Sequence, residues 1–271
     1  MRAWVLGSGS GGNALLVEAD GARILVDAGF GVRTLATRLR AIDVAPESIE
    51  ACIITHEHTD HVKGAAAAQR RWGWALHATR GTIAASPELR DAAVHAFTAG
   101  EALAFTTMDL ATVRTPHDAA EPVGVRVTAR STGARTTLCT DLGHVTPGVR
   151  ALCADADILV LESNHDEGML RAGPYPPVVQ ARIAGDSGHL ANRHAAALIR
   201  DSVTRTLQHV VLAHLSQNCN APALARETTE RELRRTAYRG EVATAPQDAV
   251  LGPFEARRTR REEPRQYLLD L

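Results

Sequence analysis

Length, composition and charge limit the classes of protein to which the chain can belong. It has 271 residues, of which 45% are hydrophobic and 23% charged, so a disordered or low-complexity chain is excluded and one large or two small globular domains are expected. Because the formal net charge is only -1, any contact with nucleic acid must rest on a local basic patch.

The cysteines and the N-terminal residues favour a cytoplasmic protein. Cys52, Cys139, Cys153 and Cys219 form no Cys-x-x-Cys pair, and two of them lie in apolar runs, so we expect reduced core thiols. The N-terminal residues contain no long apolar stretch, and no run approaches the length that spans a membrane. We therefore expect a cytoplasmic location and no membrane partner.

The first part of the chain predicts a hairpin followed by a strand and a helix. Residues 1–6 and 14–18 are strand-like, and the glycine-rich segment 7–13 lies between them. A phosphate-binding loop is disfavoured because no Gly-Lys-Ser/Thr follows and the next element is a strand. Residues 23–29 form a third predicted strand that contains Asp27, and residues 32–42 have helical spacing.

A segment dense in histidine follows the next buried strand. Residues 51–55 are apolar and β-branched, so the segment His56-Glu57-His58-Thr59-Asp60-His61 begins at the end of a strand. Imidazole and carboxylate groups suit zinc, manganese or iron. Because alternate residues of a compact loop point the same way, His56 and His58 are expected to hold one ion, and Asp60 with His61 a neighbouring ion.

The rest of the chain alternates between strands and helices. Predicted helices cover 62–72, 82–85, 147–154, 190–202 and 221–237, and predicted strands cover 75–79, 110–115, 123–128, 136–140, 158–162, 209–213 and 241–245. Between 94 and 130 the short strands predict a mostly antiparallel sheet. Alternation in two halves predicts an α/β fold, a four-layer αβ/βα sandwich of two mixed sheets flanked by helices.

The C-terminal residues are rich in arginine and have no apolar period. We expect a domain over residues 1–256 and a charged tail over 257–271. A solvated tail is the simpler interpretation, and a contact with a phosphate backbone is the alternative.

Three further ligand candidates lie where predicted strands end. His117 follows a strand and a proline, Asp141 follows the strand that ends at residue 140, and His214 ends a very apolar strand. A carboxylate such as that of Asp141 can bridge two cations with its two oxygens. The other interpretation is a polar residue that only terminates a strand.

The histidine-rich segment resembles the His-x-His-x-Asp-His signature of the metallo-β-lactamase superfamily, and all of its positions match. The resemblance implies one ion held by His56, His58 and His117, and a second held by Asp60, His61 and His214. It implies that Asp141 bridges the two ions. It also suggests that Asp27 hydrogen-bonds the metal loop, whereas the residue pattern alone leaves a helix cap open.

Other motifs resemble one branch of this superfamily, the WalJ (YycJ) group of bacterial proteins. They are Gly7-Ser8-Gly9-Ser10, Pro116-His117-Asp118-Ala119, Glu162-Ser163-Asn164-His165-Asp166, Gly188-His189-Leu190-Ala191-Asn192 and His214-Leu215-Ser216-Gln217-Asn218. The resemblance covers nearly the whole chain except the arginine-rich end. It implies a nuclease, with 5′ to 3′ exonuclease action on DNA.

The predicted chemistry is hydrolysis with two divalent ions, Zn²⁺ or Mn²⁺, with iron also allowed. Such a pair lowers the pKa of a bridging water towards about 7 and neutralises charge on a phosphoryl group. His189 is the candidate acid or phosphate clamp, with His165 as its competitor, and Asp60 is expected to orient the attacking water. His165, His189 and Asn192 are predicted to contact substrate.

Two functions from this chemistry remain open in the sequence. The first is a phosphodiesterase acting on nucleic acid, DNA rather than RNA, with Arg182, Arg193 and the tail as candidate backbone contacts. The second is a hydrolase of a cyclic phosphodiester or a thioester. Hydrolysis of a lactam is disfavoured because no cysteine takes a ligand position. A vestigial site without activity is disfavoured because the ligand set is complete. The sequence leaves open whether the protein is a homodimer.

Overall fold

The computed structural model describes residues 1–258, which contain fourteen strands and nine α-helices. The strands are β1 (Arg2–Gly7), β2 (Ala14–Ala19), β3 (Ala22–Val26), β4 (Ala51–Ile54), β5 (Ala75–Thr79), β6 (Val94–Phe97), β7 (Ala102–Ala104), β8 (Met108–Arg114), β9 (Val123–Ala129), β10 (Arg135–Cys139), β11 (Ile158–Glu162), β12 (His209–Ala213), β13 (Glu241–Thr244) and β14 (Leu251–Glu255). The helices are α1 (Val32–Arg40), α2 (Thr59–Val62), α3 (Ala65–Trp72), α4 (Arg80–Ala85), α5 (Pro147–Cys153), α6 (Glu167–Ala172), α7 (Pro177–Ile183), α8 (Asn192–Asp201) and α9 (Pro222–Leu233).

The strands form two sheets of seven. The first has the order β14-β1-β2-β3-β4-β5-β6, and the second has the order β13-β12-β11-β10-β9-β8-β7. Strands β3 to β6 run parallel to one another, as do β10 to β13, whereas β7, β8 and β9 are antiparallel. Because parallel strands end at the same edge, residues that follow β4, β10, β11 and β12 are brought to one end of the molecule.

The core lies between the two sheets and is apolar from both sides. Val17 and Ile53 of the first sheet belong to the same buried cluster as Val125, Val160 and Val211 of the second. The outer face of each sheet packs against helices, with Leu35 of α1 in one cluster and Leu198 of α8 in another. Strands buried on both faces explain the continuous apolar runs of the sequence. The four-layer αβ/βα sandwich predicted from the alternation of elements is confirmed.

Most predicted elements are present, with changed ends. The hairpin of residues 1–18 is confirmed, because β1 and β2 pair antiparallel around the glycine-rich turn. The predicted helix 62–72 is wrong as one helix: α2 ends at Val62 and α3 begins after Gly64. A Cβ on Gly64 would lie 2.1 Å from the carbonyl oxygen of Phe30, so a close backbone approach interrupts the helix.

Other differences lie in the second half of the chain. The predicted helix 221–237 ends at Leu233, and β6 pairs parallel to β5 in the first sheet instead of joining the antiparallel region. Helices α6 and α7 and strand β14 are additional elements. β14 pairs with β1, so the first sheet receives its edge strand from the C-terminal end of the described chain.

In residues 1–258 there is no helix of the length and hydropathy needed to cross a membrane. Arg257 and Arg258 of the predicted tail follow β14, whereas residues 259–271 lie outside the described residues. The division into a domain over 1–256 and a tail over 257–271 stays a prediction.

Candidate metal centre

All seven predicted ligands meet at the end of the sandwich where the parallel strands of both sheets finish. They are His56, His58, Asp60, His61, His117, Asp141 and His214. The first four come from the first sheet, after β4, and the other three follow β8, β10 and β12 of the second. These residues, with Glu162 and His189, form four overlapping groups, and the potential ligand atoms of each group lie within 4.8 Å of one another.

The chain turns sharply at the ends of β3, β10 and β12. Asp27, Asp141 and His214 have φ angles of 63°, 58° and 53°, in the left-handed region. Aspartate tolerates that region better than most residues, and histidine also occurs there. The turn places each side chain at the end of the sandwich immediately after its strand.

The first group contains three imidazoles. His56 and His58 have ring centroids 4.7 Å apart, and the His58 Nδ1 lies 3.2 Å from the His117 Nε2. The His117 Nδ1 lies 3.1 Å from the carbonyl oxygen of Gly188, which directs its Nε2 towards the group. Burial and the neighbouring His61 hold the pKa of His56 well below its ordinary value, so its imidazole is neutral and able to bind a cation.

The second group surrounds Asp60 and His61. The Asp60 Oδ2 lies 3.6 Å from the His61 Nε2 and 3.5 Å from the His214 Nε2. Asp141 lies between the two groups: its Oδ2 is 3.2 Å from the His61 Nε2 and its Oδ1 is 3.7 Å from the His117 Nε2. Burial alone would raise the pKa of Asp141, but His214 and His61 hold it well below its ordinary value.

Several buried atoms of the cluster fit a bound cation. Within residues 1–258, the His56 Nε2, the His214 Nε2 and the Asp141 Oδ2 are buried and make no hydrogen bond of acceptable geometry, although Asp60 and His61 lie near the last two. An unpaired polar atom in such a place costs free energy unless a cation or another partner satisfies it. Neutral imidazoles and carboxylates are the ligands that zinc, manganese and iron accept. The donor set therefore fits divalent metal, and each ligand assignment stays a prediction.

Asp27 supports the metal loop from behind. Its Oδ1 accepts a hydrogen bond from the Thr55 backbone N–H at 2.8 Å, and its Oδ2 accepts from the Thr55 hydroxyl at 2.9 Å. The His61 Nδ1 lies 2.7 Å from the same Oδ2, which leaves the His61 Nε2 to face the cluster. Of the two roles open for Asp27, hydrogen bonding to the metal loop is confirmed. Such a contact orients a ligating imidazole and raises its basicity.

Asparagine at position 27 should weaken both the fold and metal binding. The Asp27→Asn variant keeps a residue that tolerates a positive φ but presents an amide N–H₂ towards Thr55 or His61. We expect a loss of about 1–3 kcal/mol in the free energy of unfolding of metal-free protein and about 10–100-fold in metal affinity. Denaturant titration and chelator competition measure the two effects. Asp43→Asn is the control, since Asp43 is exposed and has a φ of 57°; equal effects in both variants would contradict this role.

The glycine-rich turn also supports the cluster, which the sequence did not reveal. The Ser8 hydroxyl accepts a hydrogen bond from the His214 backbone N–H at 2.9 Å and donates to the Asn13 Oδ1 at 3.0 Å. The Asn13 Nδ2 donates to the Asp60 Oδ2 at 3.2 Å. A Cβ on Gly29 would lie 1.7 Å from the carbonyl oxygen of Asp60, so only glycine allows the loop to pack this closely.

Glu162 is a further residue that sequence reasoning missed. It is fully buried at the end of β11, and its Oε1 lies 2.9 Å from both the His189 Nδ1 and the His214 Nδ1. Its Oε2 accepts hydrogen bonds from the Leu142 and Leu190 backbone N–H groups at 2.8 and 2.9 Å. Although burial raises the pKa of Glu162, the two histidines lower it to about 2. The signals in the sequence are an acidic residue at the end of a very apolar strand and its place in the motif Glu162-Ser163-Asn164-His165-Asp166.

His189 lies at the edge of the cluster, where it is partly exposed. Its Nδ1 is 3.6 Å from the Asp141 Oδ1, in addition to the contact with Glu162. Burial opposes protonation, but the Glu162 carboxylate raises the pKa of His189 above its ordinary value. An imidazolium in this place can donate a proton or contact a phosphate, as predicted, and the role itself stays a prediction.

The cluster opens to solvent through a cleft of about 190 Å³, here called the metal cleft. Its lining residues are Ser10, His58, Asp60, His117, Asp118, Asp141, Arg182, His189 and His214. Arg182 is largely exposed and bonds to the Asp118 Oδ2 through its Nε at 2.8 Å. The cleft therefore carries one guanidinium at its rim.

Two predicted substrate contacts lie outside the metal cleft. His165 is 2% exposed and lines a neighbouring cavity. Asn192 is also buried and lines neither cavity, because its Oδ1 accepts from the Ser163 hydroxyl at 2.7 Å and its Nδ2 donates to the Asn220 Oδ1 at 2.9 Å. Asn192 therefore holds β11 and the start of α8 together, and the geometry does not favour contact with substrate.

Metal affinity should rise with pH because two ligand candidates carry protons in the metal-free protein. Burial lowers the pKa of His214, but Asp141, Asp60 and Glu162 raise it to about 10. Burial likewise opposes protonation of His61, and Asp27 with Asp141 raises its pKa well above the ordinary value. A metal ion must displace these protons, so we expect affinity to rise by up to about tenfold per pH unit for each proton displaced. Chelator competition between about pH 6 and pH 9 measures this, and a constant affinity would contradict it.

Known proteins resemble this chain in sequence and fold. Residues 22–215 match the family model described as the Beta-lactamase superfamily domain. The chain is 32% identical over 238 residues to the exodeoxyribonuclease YycJ of Bacillus anthracis, covering 86% of this chain and 89% of that protein. It is 33% identical over 236 residues to the exodeoxyribonuclease WalJ of Streptococcus pneumoniae serotype 2, covering 84% of this chain and 87% of that protein.

The fold comparison agrees with these matches. The crystal structure of the metallo-beta-lactamase fold protein YhfI from Bacillus subtilis aligns with a TM-score of 0.70, over 93% of this chain and 99% of that chain. At 17% identity this similarity supports the fold alone. The family match and the two relatives show that the chain belongs to the β-lactamase superfamily and, within it, to the YycJ/WalJ-type proteins.

Proposed function

We propose that this chain is a metal-dependent exodeoxyribonuclease that hydrolyses DNA from the 5′ end with two divalent ions, Zn²⁺ or Mn²⁺. The observation that carries the proposal is the cluster of seven converging ligand candidates, three of which have buried atoms without partners among residues 1–258. Two relatives that match most of the chain are named exodeoxyribonucleases. The proposal includes a cytoplasmic location, which four free and buried cysteines favour.

The residues of the ligand cluster and of the metal cleft divide the work of hydrolysis. His56, His58 and His117 would hold one ion and Asp60, His61 and His214 the other, with Asp141 between them. These ions would supply charge neutralisation at phosphorus and acidity for the attacking water. The hydrolysis adds hydroxide to phosphorus and a proton to the leaving oxygen.

His189 is the proposed source of that proton. Glu162 holds the His189 Nδ1 at 2.9 Å and favours the imidazolium form, so the Nε2 proton is available to the leaving oxygen. Asp60, at the edge of the cleft, would orient the attacking water through a carboxylate oxygen. Arg182 would contact the phosphate backbone, and such contacts weaken as salt increases.

A second candidate function is a hydrolase of a small cyclic phosphodiester or a thioester. The small volume of the metal cleft, about 190 Å³, is the observation that favours it. Cysteine is absent from the ligand groups found in residues 1–258. This absence disfavours lactam hydrolysis, as the sequence also does. Competition separates the two functions: long DNA inhibits hydrolysis of a small diester by a nuclease and leaves a small-molecule hydrolase unaffected.

The decisive experiment is degradation of DNA and RNA of equal sequence, single- and double-stranded, labelled at either end. Protein stripped with a chelator is assayed alone and after addition of manganese or zinc. We expect metal-dependent loss of DNA, with a 5′ label released first as the shortest product. Hydrolysis of a small phosphodiester or thioester without degradation of any polymer would overturn the proposal in favour of the second function. His58→Ala should abolish either activity, because His58 belongs to the first ligand group.

A further inference from the structure

A second cavity lies directly beside the metal cleft, and His189 lines both. This side cavity has a volume of about 350 Å³ and is bounded by the 143–145 loop, by His165, by residues 184–191 and by the first turns of α8. Sites for small molecules range from about 300 to 1,000 Å³. The side cavity has room for one nucleotide and not for a length of polymer.

The lining of the side cavity combines apolar, basic and acidic groups. Val145 and Leu198 provide apolar surface, and Glu167 and Asp186 are its acidic residues. Arg150 and Arg193 provide guanidinium groups, which pair with Asp201 and Glu167. The N-terminus of α8 opens beside it, and the N-cap residue Ala191 has no side chain that could cap the helix. Of the first three N–H groups of α8, those of Asn192 and His194 already donate to the carbonyl oxygens of His165 and Ala191, so within residues 1–258 the Arg193 N–H is the one left to favour an anion. Apolar surface favours a base or a sugar. This combination suits a nucleoside monophosphate.

His165 gives an independent indication of a ligand. Its side chain is 2% exposed and lines the side cavity, and within residues 1–258 its buried Nδ1 has no hydrogen-bond partner. The backbone of His165 is fixed, since its carbonyl oxygen accepts from the Asn192 N–H at 2.9 Å. A buried imidazole nitrogen without a partner costs free energy unless a bound molecule satisfies it.

The wall between the side cavity and the metal cleft is fixed by close packing. The His144 Nδ1 lies 2.9 Å from the carbonyl oxygen of Asp186, and the Asp118 N–H donates to the carbonyl oxygen of Ser187 at 3.1 Å. A Cβ on Gly143 would lie 2.0 Å from the same oxygen of Asp186. Both cavities therefore keep a constant spacing on either side of His189, which favours binding without reorganisation.

We propose that the side cavity binds the terminal nucleotide of the strand that is degraded, so that the adjoining phosphodiester lies in the metal cleft. This inference rests on the proposed nuclease function. It adds the number of nucleotides that are released in each hydrolysis. Because the side cavity holds one nucleotide, each hydrolysis releases one nucleoside monophosphate. His165 and Arg193 contact the terminal nucleotide, and His189 lies between it and the reacting phosphorus.

The test fills the side cavity with a larger side chain. Ala197 lines it from α8 and is far in sequence from every ligand candidate, so Ala197→Trp places an indole in the cavity. The matched control is Ala67→Trp, since Ala67 is also half-buried but lies on α3, outside the first sheet. A second variant, Arg193→Gln, changes an exposed residue that pairs with Glu167 and does not endanger folding.

Two measurements are made on each variant. Thymidine 5′-monophosphate is titrated calorimetrically into protein stripped of metal, and metal-loaded protein is assayed on a 5′-phosphorylated oligonucleotide and on bis(4-nitrophenyl) phosphate. For Ala197→Trp we expect affinity for the nucleotide, and the ratio of oligonucleotide to small-diester activity, to fall at least about tenfold because the indole fills space that the nucleotide needs. Arg193→Gln should also reduce the nucleotide affinity and the activity ratio. Ala67→Trp should match the wild type in both.

The outcomes distinguish the two proposals. If the wild type degrades DNA and Ala197→Trp retains both the nucleotide affinity and the activity ratio, the inference fails and the nuclease function stands. Release of products longer than one nucleotide in the first steps of degradation would also overturn it. If the wild type degrades no nucleic acid, the nuclease function fails and the inference fails with it.

Discussion

Asp141→Asn should abolish hydrolysis and reduce the metal content of the protein. The carboxylate of Asp141 lies between both ligand groups, within 3.7 Å of imidazole nitrogens from His61, His117 and His214. Asparagine keeps the shape and tolerates the φ of 58°, but it removes the negative charge that two cations would share. We expect turnover to fall by at least about 1,000-fold, since metal-supplied stabilisation of the transition state is worth several kcal/mol.

Elemental analysis after dialysis, together with single-turnover assays on labelled DNA, measures both effects. Asp109→Asn is the matched control, because Asp109 lies on β8, is half exposed and pairs with Arg130 away from the cleft. Wild-type metal content with wild-type turnover in Asp141→Asn would show that Asp141 is not a ligand. A loss of activity in both variants would point to a general effect on the protein.

Glu162→Gln should slow hydrolysis and change its dependence on pH. Glutamine cannot accept from two histidines and two backbone N–H groups at once, because its amide nitrogen is a donor. We expect a decrease of about 10–100-fold in kcat and of about 1–3 kcal/mol in the free energy of unfolding. Since Glu162 raises the pKa of His189, its loss should lower that pKa.

The pH profile separates a role in positioning from a role in stability alone. If His189 donates a proton, activity falls as the pH rises above the pKa of His189, and in Glu162→Gln this decline should occur at a lower pH than in the wild type. Glu18→Gln is the control: Glu18 is a buried carboxylate paired with Arg2 and Arg23, far from the cleft. If activity declines at the same alkaline pH in Glu162→Gln as in the wild type, Glu162 does not act by raising the pKa of His189.

The sequence predicted that the ligand candidates cluster, but it did not predict most of the residues that support them, for a physical reason. The segment from His56 to His61 is self-contained, because donors spaced over six residues form one loop. The residues that support the ligand candidates are distant from them in sequence. Glu162 contacts His189 and His214, and Asn13 contacts Asp60. No regular spacing in the sequence predicts these contacts. Pairing between distant segments depends on the register of the sheets, which the sequence alone does not specify.

The differences between prediction and structure have equally local causes. Asn192 starts a helix beside a predicted catalytic histidine, which favours substrate contact. That contact stays a prediction, whereas the structure places the Asn192 amide in a buried network with Ser163 and Asn220. Helix α7 has no buried residue, so it carries no apolar period from which a helix could be predicted. The break at Gly64 reflects contact with the distant Phe30. In each case tertiary contacts outweigh the local pattern.

The distribution of the predicted ligands has a mechanical consequence. His56 and His58 belong to the first sheet and His117 to the second, and the other ion would likewise combine Asp60 and His61 with His214. Each ion would therefore be a reversible cross-link between the two halves of the sandwich, at the end where the parallel strands of both sheets finish. Metal supply would then set how readily the halves separate, and protein made in metal-poor cells would be exposed to proteolysis at this end before any loss of the apolar interior.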